Sequence, residues 1–169
     1  MLFKKERIHK DLDIRAPKII NRKAKLAASL IIKGNYHQVD YSSCWQKLWA
    51  YIQEHRLFSM RMEFLGIYHD DPTITPESET RFEACITINK KSPDAEEVKV
   101  RETPEGNYLM FHYTGEYEKF REVYEFIYND YLKDKDIKLR NAPMIEKYLN
   151  NPQKVEPKKL RTEILIPIE

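Results

Sequence analysis

Glu146 is the residue whose type and position could carry chemistry. It lies in the largely apolar segment 143–150, two residues before Tyr148. A carboxylate among apolar side chains is costly to bury unless a hydrogen-bond donor or a cation offsets the loss of water. Such a group can bind a cationic ligand or act as a general base on water. The alternative is a solvated strand carboxylate, because glutamate is rarely buried.

The other reactive residue types are not spaced for metal or covalent chemistry. Cys44 and Cys85 are far apart and flanked by apolar or aromatic residues, which is typical of buried free thiols. The five histidines form neither an i, i+4 pair nor a cluster of the kind that metal sites need. We therefore predict no metal and no cofactor.

Composition limits the class of protein. A chain of 169 residues suits one domain, and 41% hydrophobic with 33% charged residues is typical of a globular protein. A formal charge of +2 does not favour direct binding of nucleic acid. No apolar run is long enough to cross a membrane, and no signal peptide follows the charged start, so we expect a cytoplasmic protein.

The chain contains an internal repeat, which positions the candidate residues. Three sequence elements recur in the same order, separated by 81, 80 and 80 residues. The repeat predicts two similar units that pack about a pseudo-twofold axis. The paired elements are residues 34–36 and 115–117, residues 68–72 and 148–152, and residues 81–83 and 161–163.

Each copy is predicted to fold as strand, helix, strand, strand. The helices show an apolar stripe at i, i+3, i+4 and i+7, and Asp40 is a plausible N-cap of the first. We predict strands at 24–32, 62–68 and 81–88 in the first copy, and at 107–113, 144–149 and 160–168 in the second, led in by 98–101. The helix stripes are Tyr41, Cys44, Trp45, Leu48 and Ile52, then Phe120, Val123, Tyr124, Ile127 and Tyr131.

The predicted fold class is α+β, a tandem duplication with pseudo-twofold antiparallel sheets, two main helices and a central cleft. A charged leader is expected over residues 1–16, followed by a single domain over 17–169. Within that domain we expect lobe one at about 17–89 and lobe two at about 98–169.

The repeat loses its symmetry at Glu146. Its counterpart is Gly66, so a glycine in one copy faces a carboxylate in the other. Strand alternation gives each face of the segment one charge, Glu146 or Lys147, and does not decide which is buried. Ligands tend to bind where two lobes meet. The aromatic candidates for lining that seam are Tyr68, Tyr148, Phe111 and Tyr113 on strands, with Trp45 fitting either seam or core, whereas Phe120, Tyr124 and Tyr131 are assigned to the core.

These segments resemble the GyrI-like domain, also called the AraC effector-binding or bacterial transcription-activator effector-binding domain. The resemblance implies a cleft that accepts hydrophobic, often cationic or planar, molecules, with Glu146 as its central carboxylate. The family often carries tyrosine where this chain has Leu165, which implies that one aromatic wall of the cleft is absent. The resembling segments are residues 33–36, 66–72, 81–85, 115–117, 143–150 and 160–167.

The resemblance favours a small-molecule-binding or drug-binding domain of transcription-regulator type. Two alternatives stay open: a hydrolase of strained electrophilic natural products that uses Glu146 as general base, and a protein-binding module of the gyrase-inhibitor kind. The residues before 17 are too few for a helix-turn-helix domain. We therefore expect either a free-standing protein or the effector part of a longer regulator that has its own DNA-binding domain.

Overall fold

One antiparallel sheet carries the helices of both halves on the same face. The computed structural model describes residues 5–169, so the first four residues of the expected leader lie outside the described part. Within it the sheet has eight strands. They are β1 (Asp13–Arg22), β2 (Leu26–Lys33), β3 (Phe64–Tyr68), β4 (Arg81–Thr87), β5 (Lys99–Glu102), β6 (Gly106–Thr114), β7 (Met144–Tyr148) and β8 (Arg161–Ile168).

The strand order is β1-β6-β8-β7-β3-β4-β2-β5, and β3 pairs with β7 at the centre. The sheets of the two copies therefore join edge to edge into one continuous sheet. Gly66 is the register partner of Glu146 across this central pair. The predicted α+β duplication is confirmed, and the pseudo-twofold axis lies between β3 and β7.

The two helical regions differ in regularity. Helix α1 spans Tyr41–Glu54, and the Asp40 side chain accepts a hydrogen bond from the Ser43 backbone N–H, as expected of an N-cap. The second region is segmented into a 3₁₀ turn (Tyr117–Lys119), helix α2 (Phe120–Glu125) and a π-helical segment (Phe126–Tyr131). We call residues 117–131 the segmented helix.

The outer strands are exchanged between the two halves. Strand β1 precedes β2 in sequence but pairs with β6, whereas β5 precedes β6 but pairs with β2. The expected leader boundary at residue 16 falls within β1, and the expected start of lobe two at residue 98 falls just before β5. Each half of the sheet thus completes its edge with a strand from the other half's sequence.

The turns of the two copies use matching interactions. Gly34 and Gly115 have φ angles of +136° and +156°, a region that favours glycine. An Asp70 carboxylate oxygen accepts from the Arg81 backbone N–H at 2.8 Å, and the Asn150 side-chain oxygen accepts from the Arg161 N–H at 2.9 Å. A shared turn role therefore explains why aspartate in one copy corresponds to asparagine in the other.

Both faces of the sheet are packed. On the helical face, α1 covers one cluster with Leu48 and Ile52 at its centre, and the segmented helix covers another with Val123 and Ile127. Between these clusters lies a strip of β3 and β7 residues, which includes Glu146. The opposite face buries a third cluster: Ala27, Leu65, Ile67, Cys85, Tyr108, Ile145 and Leu165.

The helices are too short or too polar to span a bilayer. Among residues 5–169 we find no helix that combines the length and the apolar character of a transmembrane segment.

Candidate functional site

Glu146 lies at the middle of the central strip and has 0% of its surface exposed. Strand β7 presents Met144, Glu146 and Tyr148 to the helical face and Ile145 to the opposite cluster. The register of the central strands and the pairing with β8 fix the position of the carboxylate between Gly66 and Ile164. The repeat thus places a fully buried acid almost on the pseudo-twofold axis.

Three tyrosine hydroxyls donate hydrogen bonds to the Glu146 carboxylate. Tyr148 and Tyr68 donate to Oε1 at 2.7 Å and 3.1 Å, and Tyr124 donates to Oε2. All three partners are neutral phenols, so they satisfy the oxygens without balancing a negative charge. The carboxylate is therefore hydrogen-bonded but not paired with a cation.

Burial dominates the acid–base behaviour of this cluster. Loss of water raises the pKa of Glu146 above its ordinary value, although the hydrogen bonds from Tyr124, Tyr148 and Tyr68 oppose the shift. Burial and the nearby carboxylate raise the pKa of each of these phenols well above its ordinary value. The tyrosines therefore keep their protons at neutral pH and act as donors.

Gly66 makes this arrangement sterically possible. A Cβ atom built at this position would collide with the Tyr148 hydroxyl oxygen and lie 2.7 Å from Phe82 Cε2. The Tyr148 ring can lie over Gly66 and reach Glu146 because β3 has no side chain at the position that pairs with Glu146. The glycine that breaks the repeat thus leaves room for a donor to the carboxylate.

Trp45 of α1 lies beside this cluster. The sequence was compatible with either a seam or a core position for this residue. Its ring centroid lies 5.8 Å from that of Tyr148, in an edge-on arrangement. From the segmented helix, the Tyr117 ring also lies 5.8 Å from Tyr148. Aromatic rings from both halves therefore cover the strip around Glu146.

Phe111 and Tyr113 do not reach the carboxylate. Both lie on β6, which β8 separates from β7, and they pack in the core under the segmented helix. The Phe111 ring is 5.3 Å from Tyr131, and the Tyr113 hydroxyl donates to the Glu116 carbonyl at 2.8 Å. The prediction that Phe111 and Tyr113 line the seam therefore does not fit the structure. Residues at the seam lie on β3, on β7 or on a helix beside these strands.

The sequence interpretation missed Tyr124. Its place on the apolar helix stripe suggested a core role, yet its hydroxyl donates to Glu146. The repeat contains the signal that identifies it, because Tyr124 is the counterpart of Trp45.

Leu165 was expected at a position that forms one wall of the cleft. In the structure it lies in the cluster on the opposite face of the sheet and does not border the strip around Glu146.

A second buried carboxylate, Glu63, lies on the opposite face in very different surroundings. Arg22 Nη2 and Lys25 Nζ lie 3.0 Å and 2.8 Å from its Oε1, and Lys147 Nζ lies 3.0 Å from its Oε2. Burial alone would raise the pKa of Glu63, but the hydrogen bonds from these cations lower it to about 2. In the described part of the chain Glu146 has no comparable ion pair.

The expected central cleft is not seen at Glu146, which is fully buried. Its three tyrosine partners enclose it, and Trp45 and Tyr117 pack against one of them, Tyr148. Two surface depressions of about 250 Å³ and 280 Å³ lie elsewhere, and neither is lined by Glu146 or its tyrosine partners. Among the described residues no cluster of histidine, cysteine and acidic side chains is arranged to hold a metal ion. Access to the carboxylate therefore requires movement of aromatic side chains.

The eight-stranded antiparallel sheet and the two similar modules define a class of α+β domain built by duplication. The chain belongs to the GyrI-like small-molecule-binding domain family, whose profile matches residues 15–169. It is 30% identical over 105 residues to YosT, an SPbeta prophage-derived protein of Bacillus subtilis (strain 168) whose name assigns it to transcriptional regulation. That alignment covers 62% of this chain and 67% of YosT.

Solved structures share the fold. The EcmrR C-terminal domain matches with a TM-score of 0.71 at 17% identity, over 90% of this chain and 96% of that one. In the longer EcmrR chain of a DNA complex, the match covers only 57% of the protein. The structure of SAV2435 bound to tetraphenylphosphonium matches with a TM-score of 0.61 at 16% identity, over 90% of this chain and 93% of that one. These structures show the shared fold, and the connection to transcription-regulator-like proteins comes from the match to YosT.

Proposed function

We propose that this chain binds hydrophobic, cationic or planar small molecules between its two halves and acts as an effector-sensing domain in transcription regulation. The observation that carries the proposal is Glu146, a fully buried carboxylate with tyrosine hydroxyls as its hydrogen-bond partners. A buried charge without a counterion is costly. A cationic ligand that excludes water supplies the missing charge, so the site favours cations over neutral molecules of the same shape.

The aromatic surroundings suit a lipophilic cation. Ring faces attract cations by about 0.5–2 kcal/mol each, and Tyr68, Tyr148 and Trp45 provide such rings near the carboxylate. These side chains, with Tyr124 added, form the proposed binding set around Glu146. SAV2435, which shares the fold, has been solved with the lipophilic cation tetraphenylphosphonium, in agreement with this ligand class.

The segmented helix is the element that we expect to move when ligand enters. Tyr124 lies in α2, a six-residue helix without a side-chain N-cap hydrogen bond, and a π-helical segment follows it. Such π segments often occur at functional sites. Displacement of the Tyr124 hydroxyl would free Glu146 Oε2 for a ligand cation.

The burial of Glu146 favours binding over general-base catalysis. With 0% of its surface exposed, the carboxylate contacts no bulk water from which it could take a proton in this conformation. The regulatory part of the proposal, with its cytoplasmic location and a separate DNA-binding region, is supported by the name of YosT and by the fold shared with EcmrR. We assign no residue of this chain to DNA contact.

A pair of ions of one shape and opposite charge tests the proposal. Calorimetry with tetraphenylphosphonium should show binding, and tetraphenylborate should bind at least about tenfold more weakly because Glu146 repels it. Glu146→Gln should lower the affinity for the phosphonium by about tenfold or more. The matched control is Glu83→Gln, a buried acid that is ion-paired to Arg101 at 2.8 Å on the opposite face.

Two results would overturn the assignment of Glu146. One is a phosphonium affinity in Glu146→Gln within about twofold of wild type. The other is an equal loss in Glu83→Gln, since that loss would reflect a general effect of removing a buried charge.

A further inference from the structure

A row of aromatic rings leads away from Glu146 along α1. Tyr148, which donates to the carboxylate, contacts Trp45 at a centroid distance of 5.8 Å. Trp45 in turn lies 6.3 Å from Phe64 of β3. These rings are only partly buried, so they border the surface of the central strip rather than the inner core.

The row continues to an exposed end. Phe64 lies 6.2 Å from Trp49, and Trp49 lies 6.4 Å from Phe58 in the loop after α1. Phe58 is 68% exposed, and Met60 in the same loop is 92% exposed. Two large apolar side chains thus face solvent at the end of a continuous series of ring contacts that starts at the buried carboxylate.

The second half of the molecule does not repeat this row. Its counterparts of Trp45 and Trp49 are Tyr124 and Tyr128. The Tyr124 hydroxyl is bound to Glu146, and the Tyr128 hydroxyl lies 3.9 Å from the Met144 sulfur. Ring contacts also run from Tyr148 through Tyr117 to Phe120 on that side, but Phe120 is only partly buried rather than exposed, whereas the row along α1 ends at the exposed Phe58.

We propose that this aromatic row holds the tail of an elongated amphipathic monocation, whose charged head lies at Glu146 and whose single long alkyl chain extends toward Phe58 and Met60. The inference rests on the proposed function, because it assigns the ligand's shape at the same site. A chain laid along the row covers apolar surface at Phe58 and Met60 that is otherwise exposed to water.

The charges at the outer end disfavour a second cationic group on the tail. Residues 56–61 contain Arg56 and Arg61 and no acidic residue. A ligand with a cation at each end would bring like charges together there. The ligand class is therefore a cation with one charged head and an uncharged tail.

Chain length provides the test. Alkyltrimethylammonium ions from butyl to tetradecyl, each kept below its micelle concentration, are titrated into the full chain by calorimetry. Affinity should rise by about two- to fourfold for each methylene until the tail reaches the Phe58 loop, since each buried CH₂ contributes at that level. A bis-trimethylammonium ion of equal length should bind at least about tenfold more weakly than the single-headed ion.

Phe58→Ser removes the outer end of the row. It should weaken tetradecyl binding by about tenfold and change butyl binding by less than about twofold. The matched control is Ile74→Ser, which alters an 82% exposed side chain outside the row. Affinity independent of chain length would overturn the inference, as would equal effects of the two variants on the tetradecyl ion.

The outcomes separate this inference from the proposed function. If tetraphenylphosphonium binds in a Glu146-dependent way while the alkyl series shows no length dependence, the cation site stands and the tail site falls. If length dependence persists unchanged in Glu146→Gln, the row binds chains without a cation site, and the head-group assignment falls with the proposed function.

Discussion

Glu146 on β7 and Glu63, which directly precedes β3, are both buried but have opposite kinds of partners. Three cations surround Glu63 and lower its pKa to about 2, whereas three neutral tyrosines surround Glu146, whose pKa is raised by burial. The first carboxylate has its counterions within the protein. The second has hydrogen bonds but no counterion, which is the state expected of a group that meets its counterion in a ligand. The contrast separates an acid that is ion-paired within the fold from one to which the proposed function assigns a ligand cation.

Removing one charge at each site should give the largest difference. Glu63→Gln leaves Arg22 buried among cations and should lower the free energy of unfolding by about 3 kcal/mol. Glu146→Gln should change it by less than about 1 kcal/mol, because the amide oxygen still accepts and the Tyr124 hydroxyl oxygen can accept from the new NH₂. Urea unfolding at neutral pH measures both values. Equal losses at the two sites would remove the distinction between them.

The pH dependence of stability should have opposite signs at the two acids. Between about pH 4.3 and the folded-state pKa of about 2, Glu63 takes up a proton in the unfolded chain but not in the folded one. Its contribution is therefore present above that window and is lost as pH falls through it. Unfolding curves of wild type and Glu63→Gln across this range should converge as the pH falls.

Glu146 should show the reverse behaviour. Its raised pKa means that the folded protein keeps a proton which the unfolded chain has released once the pH exceeds about 4.3. The stability of wild type relative to Glu146→Gln should therefore fall as pH rises through that point toward the folded pKa. A relative stability that rises with pH would contradict the description of this carboxylate.

A smaller effect is expected at Gly66. Gly66→Ala places a methyl group against the Tyr148 hydroxyl and Phe82, and should cost about 1–3 kcal/mol of stability. Adding Tyr148→Phe removes the hydroxyl from the collision, so part of the loss should be recovered in the double variant. Thermal or urea unfolding of the single and double variants measures this coupling. Strict additivity would show that the glycine does not serve to admit Tyr148.

The internal repeat made the equivalence of Gly66 and Glu146 predictable, because the two copies align with a nearly constant offset. That the pseudo-twofold axis pairs β3 with β7, rather than another pair of equivalent strands, is seen only in the structure. The alternation of the strand could not decide whether Glu146 or Lys147 is buried. In the structure Glu146 faces the hydroxyls of Tyr68 and Tyr148, and Lys147 lies on the opposite face with Glu63.

Long-range features were beyond sequence reasoning. Strand β1 has an irregular register between Arg15 and Lys18, and its partner β6 is about ninety residues away in the sequence. The alternation of inward and outward side chains along β1 is therefore irregular. No local sequence pattern specifies that the outer strands are exchanged between the halves. Tyr124 was hidden for another reason: a helix stripe shows which side faces the sheet, but not which hydroxyl reaches a neighbouring strand.

The ionisation of Glu146 with and without a lipophilic cation tests the central claim most directly. Carbon NMR of labelled glutamate carboxyls, with the Glu146 signal assigned through Glu146→Gln, gives its pKa in both states. The account predicts a pKa above the ordinary value of about 4.3 in the free protein and a lower one when tetraphenylphosphonium is bound, because a nearby cation favours the ionised form. A free-protein pKa at or below the ordinary value, or one that the bound cation leaves unchanged, would contradict it.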